Sequence, residues 1–290
     1  MKARDLFIRV EDVMRYTGPP IRILSLLERE LRDHFGLAPL FAAEEASRLE
    51  GSISRLIEDH IRDHYSNGTV ASMAFCLASR RSIIGSCVVE PGDDEAKILR
   101  KQNWLQVGKI NTKLKSLSFE EFELFGRRIL DELGASVARV TPRVGDQGID
   151  FYGVMDIGAS SGIPFGLGEL AGDLKLRFAG QAKHYPNSAV GPAVLRELIG
   201  SISLARYSVF TTDVEIFDDL GLLSFNPLVA MLFTTGTFTR GSQEIASKAG
   251  VIARSGIQLA AFLAERGIGI ANDGRQYEFS DEIFDEWLHI

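Results

Sequence analysis

Cysteine is scarce in this sequence. Cys76 and Cys87 are the two cysteines among 290 residues, and their spacing suits neither a metal site nor a disulfide framework. Such scarcity is typical of proteins from a reducing compartment, so we expect a cytoplasmic location. Because free cysteine is often buried, we predict that both side chains belong to the hydrophobic core.

The sequence also has no long uninterrupted apolar segment, and we expect no leader sequence. The most membrane-like segment is Thr69–Val89, but Arg80 and Arg81 interrupt it near its middle, and lipid would penalise both charges. Met1–Tyr16 carries charges every few residues, unlike a signal peptide. We therefore predict no membrane segment, and a buried strand or helix within Thr69–Val89.

An excess of positive charge is missing as well. The chain has 32 Lys and Arg residues against 39 Asp and Glu residues, for a net charge of −7. A protein that coats nucleic acid is usually basic, so the charge counts against that class. An enzyme that meets DNA in one local cleft needs only a small electrostatic footprint. The charge therefore predicts that any contact with DNA is local or is helped by a partner.

The composition that remains is that of a folded protein with 45% hydrophobic and 24% charged residues, long enough for two domains. Apolar residues recur at helical spacing in Ile21–Gly36 and Ala42–Tyr65, and Glu95–Gln106 also has a helical pattern. Met73–Val89 is apolar and partly β-branched, and it ends at a Pro-Gly turn. These patterns predict a mostly helical N-terminal domain over residues 1–113.

The pattern changes after residue 113. Ser118, with Glu121 three residues later, predicts the start of a helix over Phe119–Leu133. Period-two and short apolar segments then predict strands at Ala135–Val140, Ile149–Ile157, Leu174–Lys183, Leu228–Thr235 and Val251–Ala253. The helices predicted among them are Val190–Arg206, Ser242–Ala249 and Ile257–Arg266. This order predicts an α/β fold over residues 114–290, with helices flanking a mixed sheet.

Three polar residues stand where two of these strands meet turns. Asp150 comes just after the glycine-rich turn Gly145–Gly148, and Gln181 and Lys183 lie two apart near the end of a later strand. Residues two apart share a face of a strand. If the two strands are neighbours, we expect the three side chains to converge at one end of the sheet.

Such a set suits metal-assisted hydrolysis of a phosphodiester. Mg²⁺ prefers oxygen ligands, and Asp150, the Gln181 amide and the backbone carbonyl of Ala182 can all supply one. Lys183 can lower the pKa of the attacking water or stabilise the transition state. Glu123, on the preceding helix, can supply a second carboxylate. We therefore predict Mg²⁺ as the cofactor, with Mn²⁺ as a possible substitute.

The order of the motifs resembles the Mrr-type restriction endonuclease domain. The similarity rests on the helix from Phe122–Glu123 to Gly134, the sequence GDQGID at Gly145–Asp150, the sequence GQAKHY at Gly180–Tyr185, and the strand and turn of Val229–Arg240. It covers about Leu117–Ala264. This family belongs to the PD-(D/E)xK nuclease superfamily, and many of its members carry glutamine in place of the second acid. The resemblance implies a restriction-endonuclease-like core.

The resemblance also implies roles for individual residues. Asp150 corresponds to the metal-binding aspartate, Gln181 and Lys183 to the QxK pair, and Glu123 to the helix glutamate. Asp146 corresponds to an acidic residue of the turn that supports the site. The chain departs from the family pattern at residues 158–173 and near 207–226, where insertions are predicted, and Ile252–Gly256 lacks an acidic residue often found there.

Further residues near these motifs are candidates for contacts with DNA: Arg143, His184, Tyr185, Thr235 and Arg240. Each also has an ordinary interpretation, as a surface arginine, as packing at the rim of the site, or as a neighbour of Thr239, which can cap a helix. His60 and His64 are spaced as a metal pair on a helix, but a charged helix face is the favoured interpretation.

Two classes of function remain open at this point. The first is a Mg²⁺-dependent endodeoxyribonuclease that defends against foreign or modified DNA, with residues 1–113 recognising the target or a protein partner. Cleavage of both strands needs two active sites, so a homodimer or higher oligomer is expected. The alternative is a non-catalytic or partner-activated subunit of a defence complex, or a nuclease for RNA or branched DNA. The acidic segment Asp281–Leu288 favours a protein partner, or is a short helix that packs back on its own domain.

Overall fold

The computed structural model describes residues 2–142, 148–157, 174–206, 220–222, 225–272 and 277–290. The chain forms two compact units. The first comprises Met1–Gly108 and Ala261–Ser280, and the second comprises Lys109–Ala260 and Asp281–Ile290. The division differs from the two contiguous domains of the sequence prediction, because a late segment returns to the first unit. Within the described ranges, none of the helices has the length and apolar character needed to cross a membrane.

The first unit is mostly helical, as predicted. Its helices are α1 (Ala3–Met14), α2 (Ile23–Asp33), α3 (Pro39–Ser66) and α4 (Glu95–Trp104). Its strands are β1 (Ile21–Arg22), β2 (Met73–Cys76) and β3 (Ser79–Gly85), which form an antiparallel sheet in the order β1-β3-β2. A second antiparallel pair joins β11 (Ile270–Asn272) to β12 (Tyr277–Phe279). The apolar segment Met73–Val89 thus supplies a pair of strands rather than a single element, with Arg80 and Arg81 exposed on β3.

The core of the first unit follows the helical periodicity of its sequence. Leu6 and Val10 of α1, Leu27 of α2, and Ile53 and Ile57 of α3 are fully buried in one cluster, because apolar residues three or four apart share a helix face. Both cysteines of this unit are buried and unpaired, which confirms the prediction for Cys76 and Cys87.

The two histidines of α3 are satisfied by protein groups. Their rings lie 4.4 Å apart. Nε2 of His60 lies 3.2 Å from the Ser72 amide and 3.0 Å from the Ser72 hydroxyl, and Nδ1 of His64 lies 2.8 Å from Oγ1 of Thr69. Burial lowers the pKa of both rings. These contacts account for the pair without a metal ion.

The second unit is built on a five-stranded mixed sheet in the order β10-β8-β6-β5-β4. Its strands are β4 (Val137–Val140), β5 (Phe151–Asp156), β6 (Lys175–Lys183), β8 (Leu228–Thr234) and β10 (Ile252–Arg254). Neighbours from β4 to β6 are antiparallel, and those from β6 to β10 are parallel. A short parallel pair joins β7 (Ala189–Val190) to β9 (Thr237–Phe238). The predicted mixed α/β sheet with flanking helices is confirmed.

Apart from the helix over Val107–Ser116, which was not predicted and spans the predicted boundary at residue 113, the helices of this part of the chain match the sequence pattern. They are α6 (Phe119–Glu132), α7 (Pro192–Arg206), α8 (Arg240–Ala249) and α10 (Asp281–His289), while α5 (Val107–Ser116) and α9 (Gly256–Glu265) cross the division between the units. The predicted insertion at residues 158–173 lies outside the described residues, as does most of the one predicted near 207–226.

Helix α6 starts at the predicted cap. The Glu121 amide donates to the Ser118 hydroxyl at 3.2 Å, and the Glu121 carboxylate accepts from the Ser118 amide at 2.6 Å. The hydrogen bonds from Ser118 lower the pKa of Glu121. Further along, α6 presents Gly126 to the sheet, where a Cβ atom would collide with the ring of Phe151. The missing side chain therefore lets α6 lie directly against β5.

The acidic C-terminal segment packs back on its own unit, which was one of its two interpretations. Phe284 and Leu288 of α10 are fully buried. Nε1 of Trp287 donates to Glu132 of α6 at 2.7 Å, and Lys113 pairs with Asp285 at 2.8 Å. The tail is therefore part of the second unit's own packing.

Candidate active site

Strands β5 and β6 are neighbours, as the proposed site requires, and Phe151 pairs with Gly180. The amide of Asp150 donates to the Gly180 carbonyl at 2.9 Å. The amide of Ala182 donates to Oδ2 of Asp150 at 2.7 Å. Because Ala182 stands between Gln181 and Lys183, the Asp150 carboxylate lies against the backbone of the QxK motif.

Gln181 is enclosed, with 1% of its surface exposed. Its Oε1 atom is buried and has no hydrogen-bond partner among the residues that the structure describes. Its Nε2 atom lies 3.4 Å from the place that a Cβ atom on Gly148 would take. A buried acceptor left without a donor costs about 1–3 kcal/mol. The Oε1 atom of Gln181 is therefore available to accept a hydrogen bond or to bind a cation.

Lys183 ends β6 and is half-buried. Its carbonyl oxygen accepts from the Thr234 hydroxyl at 2.8 Å, and Thr234 is its register partner on β8. The backbone at Lys183 is therefore fixed by the neighbouring strand.

Gln181 and Lys183 share one face of the sheet. A Cβ atom at Gly180 would collide with the Phe151 ring, so Gly180 faces the α6 side. Ala179 instead packs with Leu195 of α7. Since alternate residues face opposite sides, Gln181 and Lys183 lie with Ala179 on the α7 side.

Glu123 lies on α6 beside the same end of the sheet. It is buried, and its neighbour Phe122 contacts the ring of His184, with centroids 6.1 Å apart. Three residues later, Gly126 touches Phe151. Glu123 therefore lies on α6 between Phe122, which contacts His184, and Gly126, which contacts Phe151.

The strands and helix that carry these residues lie in a segment that matches a known family. Residues 114–217 match the family model Mrr_cat, described as a restriction endonuclease. The matched segment is therefore similar to Mrr-type restriction endonuclease domains over about a third of the chain. It contains Glu123, Asp150, Gln181 and Lys183, and it ends before β8 and β10. No curated protein matches the chain.

Two solved structures are similar to parts of the chain. The MspJI restriction endonuclease in complex with a 27-mer oligonucleotide has 18% identity and a TM-score of 0.37, over 69% of this chain and 38% of that one. The DNA modification-dependent restriction endonuclease AspBHI has 19% identity and a TM-score of 0.39, over 71% of this chain and 45% of that one. The chain thus spans less than half the length of either.

Two further predicted residues, His184 and Tyr185, also lie in the matched segment. Nε2 of His184 lies 3.2 Å from the Lys115 carbonyl, and Tyr185 is 38% exposed. Both stand directly after the QxK motif at the end of β6. Arg143 and Asp146 of the sequence prediction lie outside the described residues.

Two candidates for contacts with DNA follow β8, beyond the family match. Thr235 is fully buried, so a contact with DNA would require this segment to open. Arg240 is exposed and pairs with Glu244 at 3.1 Å. Thr239 accepts from the Ser242 amide at 3.2 Å and so caps α8, as the alternative interpretation holds.

The matched segment also contains two residues near this region that the sequence did not single out. Oγ of Ser201 and Oε1 of Glu197, both on α7, lie 2.9 and 3.6 Å from the Cβ position of Gly148. Their spacing of four residues shows that they share a helix face. Nothing in the sequence indicates that this face meets the turn before Asp150.

The described ranges contain no group of three or more His, Cys, Asp or Glu side chains arranged to hold a metal ion. The candidate set is of another kind, since it combines carboxylates with an amide oxygen and a backbone carbonyl. Such neutral oxygens are ordinary ligands of hard cations.

Proposed function

We propose that this protein is a metal-dependent endonuclease that hydrolyses phosphodiester bonds of DNA, in defence against foreign or modified DNA. The observation that carries the proposal is the bond between the Asp150 carboxylate and the Ala182 amide. It places the carboxylate against the backbone between Gln181 and Lys183, within a restriction endonuclease domain.

The donor set fits a divalent cation. Oε1 of Gln181 is a buried acceptor without a partner among the described residues. Amide and carbonyl of one strand residue project towards the same neighbouring strand, so the carbonyl of Ala182 lies on the side of Asp150, as its amide does. These oxygens, with the carboxylate of Asp150, suit Mg²⁺ and also Mn²⁺.

The residues of the chain then have separate tasks. A bound cation would neutralise charge on the phosphodiester and favour ionisation of the attacking water. Asp150 is held in place by the Ala182 amide, and Lys183 offers a positive charge to the developing negative charge of the transition state. Glu123 adds a second carboxylate beside the strand ends.

The test is incubation of the purified protein with supercoiled plasmid and Mg²⁺ or Mn²⁺. We expect nicked or linear products, and a loss of about 100-fold or more in rate for Asp150→Ala and for Lys183→Ala. Glu286→Gln, which removes an exposed glutamate of α10, is the control and retains the wild-type rate. Absence of cleavage of plasmid DNA, methylated or not, with both ions would overturn the proposal.

The wider organisation forms part of the same proposal. Residues 1–113 would recognise the target or a protein partner, and residues 114–290 would form the nuclease domain. Two active sites are needed to cut both strands, so we propose a homodimer or a higher oligomer. Native mass measurement with and without a DNA duplex tests the stoichiometry, and a monomer on cleaved duplex would contradict it.

A further inference from the structure

We propose that Glu197 of α7, together with Ser201, is a positioning residue that sets the orientation of the Gln181 amide. It attracts the amide nitrogen, so that the amide oxygen is left for the cation. This inference rests on the proposed function, because it assigns a partner to one residue of the same site.

The first support is the convergence of three polar atoms in front of Gly148. Nε2 of Gln181, Oγ of Ser201 and Oε1 of Glu197 lie 3.4, 2.9 and 3.6 Å from the point where a Cβ atom of Gly148 would be. Gly148 has a φ of 82°, a conformation that favours glycine. A side chain at position 148 would therefore meet polar groups of α7 and β6.

The second support is the asymmetry of the Gln181 amide. Its nitrogen lies near Gly148, as do the Glu197 carboxylate and the Ser201 hydroxyl, while its oxygen is enclosed without a partner among the described residues. An ionised carboxylate accepts hydrogen bonds and cannot donate them. Glu197 therefore stabilises the orientation in which Nε2 faces α7 and disfavours the reverse.

The third support is the way α7 is held. Leu195 and Leu198 are fully buried against the sheet, in one cluster with Ala179 of β6. They lie two residues before and one residue after Glu197, which is exposed at the edge of this contact. The packing of these leucines fixes the helix and so fixes the backbone position from which the Glu197 side chain extends towards Gly148.

The need for such a residue follows from the chemistry of glutamine. A carboxylate offers oxygen to a cation in either orientation, but a carboxamide offers oxygen in one and an N–H group in the other. A site that uses Gln181 in place of an acid therefore gains from a neighbour that selects the orientation. Partners that orient metal ligands typically change metal affinity by about 10- to 100-fold when they are removed.

The experiment measures Mn²⁺ binding by the full chain in the absence of DNA, by electron paramagnetic resonance of the free ion. Glu197→Ala and the isosteric Glu197→Gln are compared in two backgrounds, the wild type and Gln181→Glu. In the wild-type background we expect both variants to weaken Mn²⁺ binding about 10-fold. In the Gln181→Glu background we expect no loss, since a carboxylate at position 181 has no orientation to select.

Controls separate this inference from the proposed function. Glu286→Ala removes an exposed carboxylate of the same unit and should leave Mn²⁺ affinity unchanged, and thermal unfolding verifies that each variant is folded. Equal losses in both backgrounds would show that Glu197 acts as a ligand or through the fold, and would overturn the inference. The inference would also be overturned if the Glu197 variants kept the wild-type affinity for Mn²⁺ and Asp150→Ala abolished binding in the same assay. If the wild type itself fails to bind Mn²⁺, the proposed function fails first.

Discussion

Two buried aspartates, one in each unit, have different surroundings. In the first unit, the Asp93 side chain is fully buried, and its Oδ2 accepts from Lys101 at 2.7 Å and from the Glu90 amide at 2.8 Å. Lys101 also donates to the Val88 carbonyl at 2.8 Å. In the second unit, Asp150 accepts from a backbone amide beside Gln181, whose buried oxygen has no partner among the described residues.

We interpret this as a difference between a charge that stabilises the fold and a group that is available to a ligand. A buried charge with several partners is costly to disturb, because removing one partner leaves the other charge buried and unpaired. A buried oxygen without a partner makes the opposite contribution, since it costs stability until a ligand satisfies it. Such groups collect at functional sites, where a ligand compensates for them.

The largest effect on stability is expected at Asp93. Asp93→Ala leaves the Lys101 ammonium buried without its main counter-charge, and we expect a loss of about 3 kcal/mol in the free energy of unfolding. Asp94→Ala is the matched control, because Asp94 caps α4 by accepting from the Lys97 amide, a contact worth about 1 kcal/mol. Urea unfolding followed by circular dichroism measures both. Equal losses would mean that the Asp93–Lys101 pair is no more than a surface contact.

The same aspartate predicts a pH dependence. Burial alone would raise the pKa of Asp93, but hydrogen bonds from the Glu90 amide, Lys101 and Lys97 outweigh it and hold the pKa well below its usual value. A carboxyl whose pKa is depressed on folding stabilises the protein above its unfolded pKa, about 3.9, and this stability is lost as the pH falls further. We therefore expect the difference in melting temperature between the wild type and Asp93→Asn to narrow from pH 7 to pH 3. A difference in melting temperature that stays constant with pH would contradict a depressed pKa for Asp93.

A smaller effect tests the comparison within the second unit, at two adjacent buried threonines. Oγ1 of Thr234 donates to the Lys183 carbonyl at 2.8 Å and accepts from the Gly236 amide at 3.2 Å. Oγ1 of Thr235 has no partner within the described part of the chain. Thr234→Val should cost about 2 kcal/mol, whereas Thr235→Val should be neutral or stabilising by up to about 1 kcal/mol. Thermal unfolding of the two variants measures these changes. A loss of stability in Thr235→Val would contradict the prediction, because it would mean that the Thr235 hydroxyl has a hydrogen-bond partner.

The sequence allowed the local parts of this picture to be predicted. The cap formed by Ser118 and Glu121 depends on residues three apart, and the common face of Gln181 and Lys183 depends on the period of a strand. The neighbouring arrangement of β5 and β6 could be expected because the motif order resembles a known family. These predictions concern short distances along the chain or an established arrangement.

Other parts depend on packing between distant segments, which leaves no local signal. The approach of Glu197 to Gly148 is decided by the leucines that seat α7 on the sheet. The burial of Thr235 depends on the course of the chain after β8. The assignment of Ala261–Ser280 to the first unit depends on contacts such as the hydrogen bond from Gln106 to the Tyr277 carbonyl. The residue types and the periodicity of these segments would be the same whether or not the segments met in the fold.

The smallest effect on stability is expected at Asp150. Asparagine has the same shape as aspartate and keeps an oxygen that can accept from the Ala182 amide, so Asp150→Asn should change the free energy of unfolding by less than about 1 kcal/mol. The same variant should abolish Mn²⁺ binding and plasmid cleavage, since an amide does not replace the carboxylate charge at the cation. Melting temperature and Mn²⁺ titration of one preparation test both halves. A loss of stability as large as that of Asp93→Ala would place Asp150 with the structural charges of the first unit, and would remove the distinction between the two aspartates.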